Sequence, residues 1–191
     1  LHSEGWFERN RIDLLRGVTV HRIDVDAQEV VTAGGARYPY WHLVIASGAA
    51  PVPPAVPGGR SAQPLRSFAD AVVLKMAARH AGTAVVIGAG LIGCEAAGCL
   101  AALGVATTVV APEPVPLLRR FGVDVGERVV KMLFDAGVRF VGSADVTAVV
   151  ESGVVLAGGE NVDGDVVVAA TGVRPDVRLA AEAGLSIRAG R

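Results

Sequence analysis

The chain has 191 residues, and 18 Lys+Arg against 19 Asp+Glu leave a net charge of −1. That balance gives no charge-driven reason to bind nucleic acid or an anionic membrane, and 51% hydrophobic against 19% charged residues exclude a disordered chain. Two cysteines cannot make a disulfide scaffold and favour a reducing, cytoplasmic setting, and no apolar run approaches the ~20 residues that span a bilayer. The mixed, polar start from Leu1 to Arg9 does not read as a signal peptide, and without an initiating Met the chain is expected to be a piece of something longer.

The first third is short, β-branched and punctuated. Val18–Val25 reads as a strand, Val30-Val31-Thr32 as a second, and Gly34-Gly35 as the turn after it. Leu43-Val44-Ile45-Ala46 is a continuous apolar run closed by Ser47-Gly48, the pattern of a fully buried strand. Four prolines in the seven residues from Pro51 to Pro57 predict a stiff, extended linker. Ser67–His80 has helical spacing. Then come the strand Thr83–Ile87, the glycine cluster Gly88-Ala89-Gly90-Leu91-Ile92-Gly93, and an Ala-rich helix to Leu103 that Gly104 ends. The strand Ala106–Val110, a helix over 123–136 and the strand Val138–Val141 follow. Two hairpin-like runs, 146–151 and 154–157, make a β-meander. Asp165–Ala170 is a last buried strand closed by Thr171-Gly172, and Arg178–Ala183 a short helix.

Strand, glycine turn, helix, strand, helix, strand is a βαβαβ unit. It predicts an α/β fold with a parallel sheet and helices on its faces. The expected division is a Rossmann-like nucleotide-binding domain over 80–165, a partial domain with its linker over 1–79, and a return segment over 166–191.

Gly88, Gly90 and Gly93 spell G-x-G-x-x-G between a strand and a helix, the context that turns a common pattern into a dinucleotide fingerprint. The first glycine allows the tight turn, the second lets the backbone approach a pyrophosphate, and the third lets helix and strand pack closely. The helix N-terminus then offers free N–H groups and its positive dipole end to the phosphates. An acid about 20 positions on should hold the adenosine ribose, but the strand ends on Ala111. Glu113 lies two residues further, and Arg119 and Arg120 follow as candidates for a 2′-phosphate. NAD through Glu113 is favoured over NADP, with a solvated loop charge as the alternative role for Glu113.

Val85–Glu95, with its glycine cluster, resembles the NAD(P)H-binding segment of the FAD-dependent pyridine nucleotide–disulfide oxidoreductase superfamily, in its ferredoxin, rubredoxin and nitrite reductase-like branch. His42–Pro51, containing Ala46-Ser47-Gly48, resembles the turn at the exit from that family's FAD domain, and Val166–Pro175, containing Thr171-Gly172, the turn of return. The resemblance covers the whole chain. It implies partial FAD-domain segments flanking the nucleotide domain, and transfer of hydride from NAD(P)H to FAD and of electrons to ferredoxin or rubredoxin. Glu95 would lie beside the nicotinamide as the catalytic residue; its plainer role is to favour the helix N-terminus. The family's FAD glycine turn and its C-terminal Gly-Asp motif have no counterpart here, Ser47 stands for Thr and Ala50 for Arg, so this chain alone is expected to bind NAD or NADP but not to retain FAD. An NADH oxidase, peroxidase or disulfide reductase of the same superfamily, or a non-catalytic dinucleotide-binding sensor, are the alternatives.

Cys94 and Cys99 are five residues apart on one helix, about 140° around its axis, so they are expected to be unpaired, small and buried. His2, His21, His42 and His80 show no ligand spacing, and no metal site is expected. Arg9, Arg11 and Arg16 read as one solvated helix face, with docking of an acidic electron carrier as the alternative.

Overall fold

The computed structural model describes residues 3–188, in two compact units: the described residues up to Gly48 together with those from Pro175 on, and Ala49–Arg174. In the first, helix α1 (Glu4–Arg9) precedes three antiparallel strands in the order β1 (Val20–Asp24), β2 (Glu29–Thr32), β3 (Arg37–Pro39). Ile23 and Val31 are buried between them, and the Thr32 hydroxyl accepts a hydrogen bond from Ala36 N at 3.1 Å, closing the last turn. Arg37 reaches across to Glu29 at 2.8 Å.

Two expectations fail in this unit. The run Leu43–Ala46 is not a strand: no described strand pairs with it, and Val44 is 87% exposed. A buried strand requires neighbours on both edges to take its backbone groups, and apolar composition alone does not supply them. The three arginines do not share a helix face either. Helix α1 ends at Arg9, and Arg11 sits in the left-handed region at φ 55°.

The larger unit begins with β4 (Ala49–Pro51). The proline-rich stretch after it, expected as a stiff, extended linker, packs onto the unit: Val149 N donates to Pro57 O at 2.9 Å, Gly59 is buried, and Ala62 joins the core. Then follow β5 (Gln63–Pro64), α2 (Phe68–Ala78), β6 (Thr83–Ile87), α3 (Leu91–Ala102), β7 (Ala106–Val110), α4 (Leu118–Asp135) and β8 (Val138–Val141). The remaining strands are β9 (Val146–Val150), β10 (Gly153–Leu156), β11 (Asn161–Asp163), β12 (Val166–Ala169) and β13 (Val173–Pro175), which pairs with β4; helix α5 (Arg178–Glu182) closes the chain and packs on β1. Helix α2 starts on a reciprocal cap, in which Ser67 Oγ accepts from Asp70 N and the Asp70 carboxylate accepts from Ser67 N.

Five strands form a parallel sheet in the order β5-β12-β6-β7-β8. Successive residues of β6 point to opposite faces. Ala84 and Val86 join a core built with Leu74, Ala97, Leu100 and Leu133 from the helices, whereas Val85 and Ile87 join one built with Val149, Val154, Leu156 and Val162 from the meander β9–β11. The fold is therefore α/β as expected, but helices cover only one face of the sheet and the antiparallel meander covers the other. Burial on both faces explains why β12 and most of β6 read as continuous apolar runs rather than alternating ones. The unit is wider than the 80–165 span read from the sequence, because β5 and β12 are strands of the same sheet.

Candidate functional site

The parallel strands β12, β6 and β7 all end at one edge of the sheet, and there the chain builds a cavity of about 380 Å³. Ligand sites of open α/β sheets lie at this carboxyl edge. The floor is the turn after β6. Gly88 has φ 106°, a conformation a side chain strains, and a Cβ there would lie 2.5 Å from Ala170 O. A Cβ on Gly93 would overlap the Gly88 carbonyl and press on Ala170. These two glycines let helix α3 and the Ala170 loop close on each other. Gly90 is the opposite case: a Cβ there would meet nothing within 4 Å. Its missing side chain serves no packing in the protein and leaves the backbone bare toward the cavity.

Gly90 is also the N-cap of α3, and no side chain caps that helix. The first intrahelical bond runs from Cys94 N to Gly90 O at 3.0 Å, so the N–H groups of Leu91, Ile92 and Gly93 precede the helical ladder. Helix α3 thus brings bare donors and a positive dipole end to the cavity floor, the conditions for holding a diphosphate.

One wall is the loop before α4. Leu117 N donates to Ala89 O at 3.0 Å and Ser143 N donates to Glu113 O at 3.1 Å, tying this loop to the glycine turn and to the segment after β8. Leu117 takes a left-handed conformation at φ 58°, and Gly122 breaks the helical geometry at φ 80°. The turn between them, Leu118–Phe121, carries Arg119 and Arg120 to the cavity. Glu113 Oε1 forms an ion pair with Arg119 Nε at 2.8 Å, with the Glu113 side chain 24% exposed and that of Arg119 85%. Ala111, where the fingerprint expects an acid, is buried at 1%.

Of the residues singled out from the sequence, Ala89, Gly90, Leu91, Ile92, Glu113, Arg119, Arg120 and Gly172 line this cavity. Gly88 and Gly93 act behind its floor through their backbones. Thr171 turns its hydroxyl to Val52 O at 2.5 Å. Glu95 is exposed on α3 and outside the cavity lining. Ala46, Ser47 and Gly48 lie in the other unit, where the Ser47 hydroxyl donates to Asp176 O at 2.5 Å. The sequence reading missed Leu65, Leu117, Leu118 and Val173, which help make the cavity largely apolar; of these only Leu65, the residue after β5, carried the signal of a position just past a strand end.

The bare glycine turn and uncapped helix fit a nicotinamide dinucleotide. In the two turns that resemble the exit from and the return to a flavin domain, the Ser47 and Thr171 hydroxyls are engaged by the backbone carbonyls of Asp176 and Val52. Cys94 and Cys99 are free. Cys94 is half-buried, and burial, then the nearby Glu95 charge, push its thiol up; Cys99 is exposed, against expectation, because it lies on the solvent side of α3. Among the described residues no cluster of His, Cys, Asp and Glu could hold a metal, and no helix is long and apolar enough to cross a membrane.

Comparison with known proteins agrees with this geometry. The chain is 35% identical over 200 residues to rhodocoxin reductase of Rhodococcus erythropolis, covering 98% of the chain and 45% of the relative. It is 29% identical over 196 residues to nitrite reductase [NAD(P)H] of Bacillus subtilis, covering 100% and 24%. The crystal structure of the ferredoxin reductase for the CYP199A2 system of Rhodopseudomonas palustris superposes with a TM-score of 0.91 at 30% identity, over 98% of this chain and 48% of that one. The chain thus spans about half the length of such reductases and a quarter of the nitrite reductase. Residues 6–191 match the pyridine nucleotide-disulphide oxidoreductase family, and with a Rossmann-like parallel sheet and its glycine turn in place, the chain belongs to that family of oxidoreductases.

Proposed function

We propose that this chain is the NAD(P)H-binding part of a longer, FAD-dependent oxidoreductase that passes electrons to a small iron–sulfur carrier such as ferredoxin or rubredoxin. One observation carries the reading: at the carboxyl edge of the parallel sheet, an uncapped helix N-terminus and a glycine without neighbours face one apolar cavity. In this reading the N–H groups of Leu91–Gly93 take the diphosphate, Glu113 takes the adenosine ribose and favours NAD, and the apolar wall excludes water from the rest of the dinucleotide. A bound nicotinamide supplies the hydride; the protein's share is orientation. The names of the relatives support the carrier, and the segments 42–51 and 166–175 mark where the chain joins the flavin-binding part. The setting is cytoplasmic.

The test is turnover of NADH by the full-length protein with an artificial electron acceptor. Steady turnover supports an oxidoreductase; nucleotide binding without turnover would make the protein a sensor module. Glu95, two residues past Gly93 and exposed on α3, is placed beside the nicotinamide in this reading. Glu95→Gln in the full-length protein is expected to slow flavin reduction while leaving nucleotide affinity mostly intact. An unaltered reduction rate removes Glu95 from the mechanism.

A further inference from the structure

The proline-rich stretch after β4 builds a second cavity on the larger unit, of about 530 Å³. Its walls are fixed. The φ of each proline is set by its ring. Val52 N donates to Gly172 O at 3.0 Å, and Gly59 N donates to Val56 O at 2.9 Å. Gly59 is buried against the Pro54 carbonyl, which a Cβ there would overlap. The Ser61 hydroxyl donates to Gly58 O at 2.7 Å and braces the short turn Gly59–Ser61 that carries Arg60.

Two guanidinium groups from distant parts of the chain, Arg60 and Arg174, line this cavity, and no acidic side chain lines it with them. Neither arginine has an ion pair or a hydrogen bond to another described residue. The rest of the lining is proline, valine and alanine, and a proline has no N–H to offer. Two like charges that share a cavity repel each other, and an anion between them removes that repulsion. A guanidinium presents a planar fork of donors that matches phosphate oxygens. An apolar cavity of some hundreds of Å³ with a few convergent polar groups is the usual form of a small-molecule site. Arg174 follows Val173 in β13, and neighbours in a strand point to opposite sides. Val173 lines the first cavity and Arg174 the second, and Pro51 of the paired strand β4 lines both.

We infer that this chain has a second ligand site, separate from the glycine turn, where Arg60 and Arg174 hold the dianionic phosphate of a small phosphate monoester whose apolar body lies on the prolines. The site backs onto the first cavity across the β4–β13 ribbon. A bound ester ties β13 to the turn that carries Arg60. The inference does not rest on the dinucleotide reading, because no residue of the glycine turn takes part in it.

The experiment is calorimetric titration of the full chain with phenyl phosphate, inorganic phosphate and phenol, above pH 7, where a phosphate monoester is dianionic. Wild type binds phenyl phosphate one-to-one. Inorganic phosphate binds about tenfold more weakly, since it buries no apolar body, and phenol does not bind. Arg60→Ala and Arg174→Ala each weaken phenyl phosphate by about tenfold or more, the scale of one charged hydrogen bond, with melting temperatures unchanged. Gly90→Val, which alters the other cavity, leaves phenyl phosphate affinity unchanged. Binding that is lost in Gly90→Val and kept in both arginine variants assigns the phosphate to the glycine turn and overturns the inference. So does equal binding of phenol, which leaves the arginines no part, or of inorganic phosphate, which leaves the prolines none. Wild type that binds no phenyl phosphate overturns it outright.

Discussion

Two short apolar runs in this chain look alike as sequences and end differently as structures. Leu43-Val44-Ile45-Ala46 is followed by Ser47-Gly48, and Val166-Val167-Val168-Ala169 is followed within two residues by Thr171-Gly172. The second is β12, with β5 on one side and β6 on the other, and Val168 is fully buried. The first pairs with no described strand and stays exposed. Hydrophobicity selects a segment for burial, but strand formation depends on backbone partners along its edges.

The strongest way to break this comparison is to place a charge in each run. Val168→Asp buries an unpaired carboxylate and is expected to unfold the larger unit, a loss of more than about 4 kcal/mol by thermal denaturation. Val44→Asp in the same chain is expected to change stability by less than about 0.5 kcal/mol. Equal losses would mean that Leu43–Ala46 is packed after all. A gentler version sharpens the contrast: Val168→Ala costs roughly 2 kcal/mol through lost burial and a residual cavity, and Val44→Ala costs nothing measurable.

A smaller effect concerns how β12 is anchored. The Asp165 carboxylate accepts from Gly82 N at 2.7 Å, Thr83 N at 2.9 Å and the Thr83 hydroxyl at 3.1 Å, clamping the start of β12 to the start of β6. The backbone bonds of Thr83 and Gly82, then the Thr83 hydroxyl, hold this carboxyl below its usual range. A depressed folded-state pKa contributes stability that is complete above the unfolded value, near about 4, and is lost as pH falls through the folded value. Asp165→Asn is therefore expected to lower the melting temperature at neutral pH, with a gap from wild type that closes below about pH 4. A gap independent of pH would assign the effect to lost packing.

The sequence was legible where local pattern and long-range burial agree. β6, α3, β7 and β8 fall within a residue of their expected bounds, because β-branched runs sit between glycines that end each element. The second half of α4 was legible through its spacing, but its first turn was not: Leu117 adopts a left-handed conformation without being glycine, and Gly122 interrupts the helix without ending it. β4, β5 and β13 are two or three residues long and contain prolines, so only their distant partners define them. The meander was visible, but not its place on the second face of the sheet, which depends on packing rather than periodicity. At the site, the glycines announced the floor, whereas the ion pair on the wall depends on a loop fold that spacing does not specify.

The central claim is that the bare backbone at Gly90 receives a dinucleotide. Gly90 has φ −78° and no atom near its Cβ position, so Gly90→Val fits the fold and obstructs only the ligand's approach. The measurement is calorimetric titration of wild type and Gly90→Val with NADH, alongside their melting temperatures. The account predicts one-to-one binding by wild type, and in the variant an unchanged melting temperature with affinity reduced by more than about tenfold, a cost of more than roughly 1.4 kcal/mol. Equal binding by both proteins, or none by wild type, would contradict it.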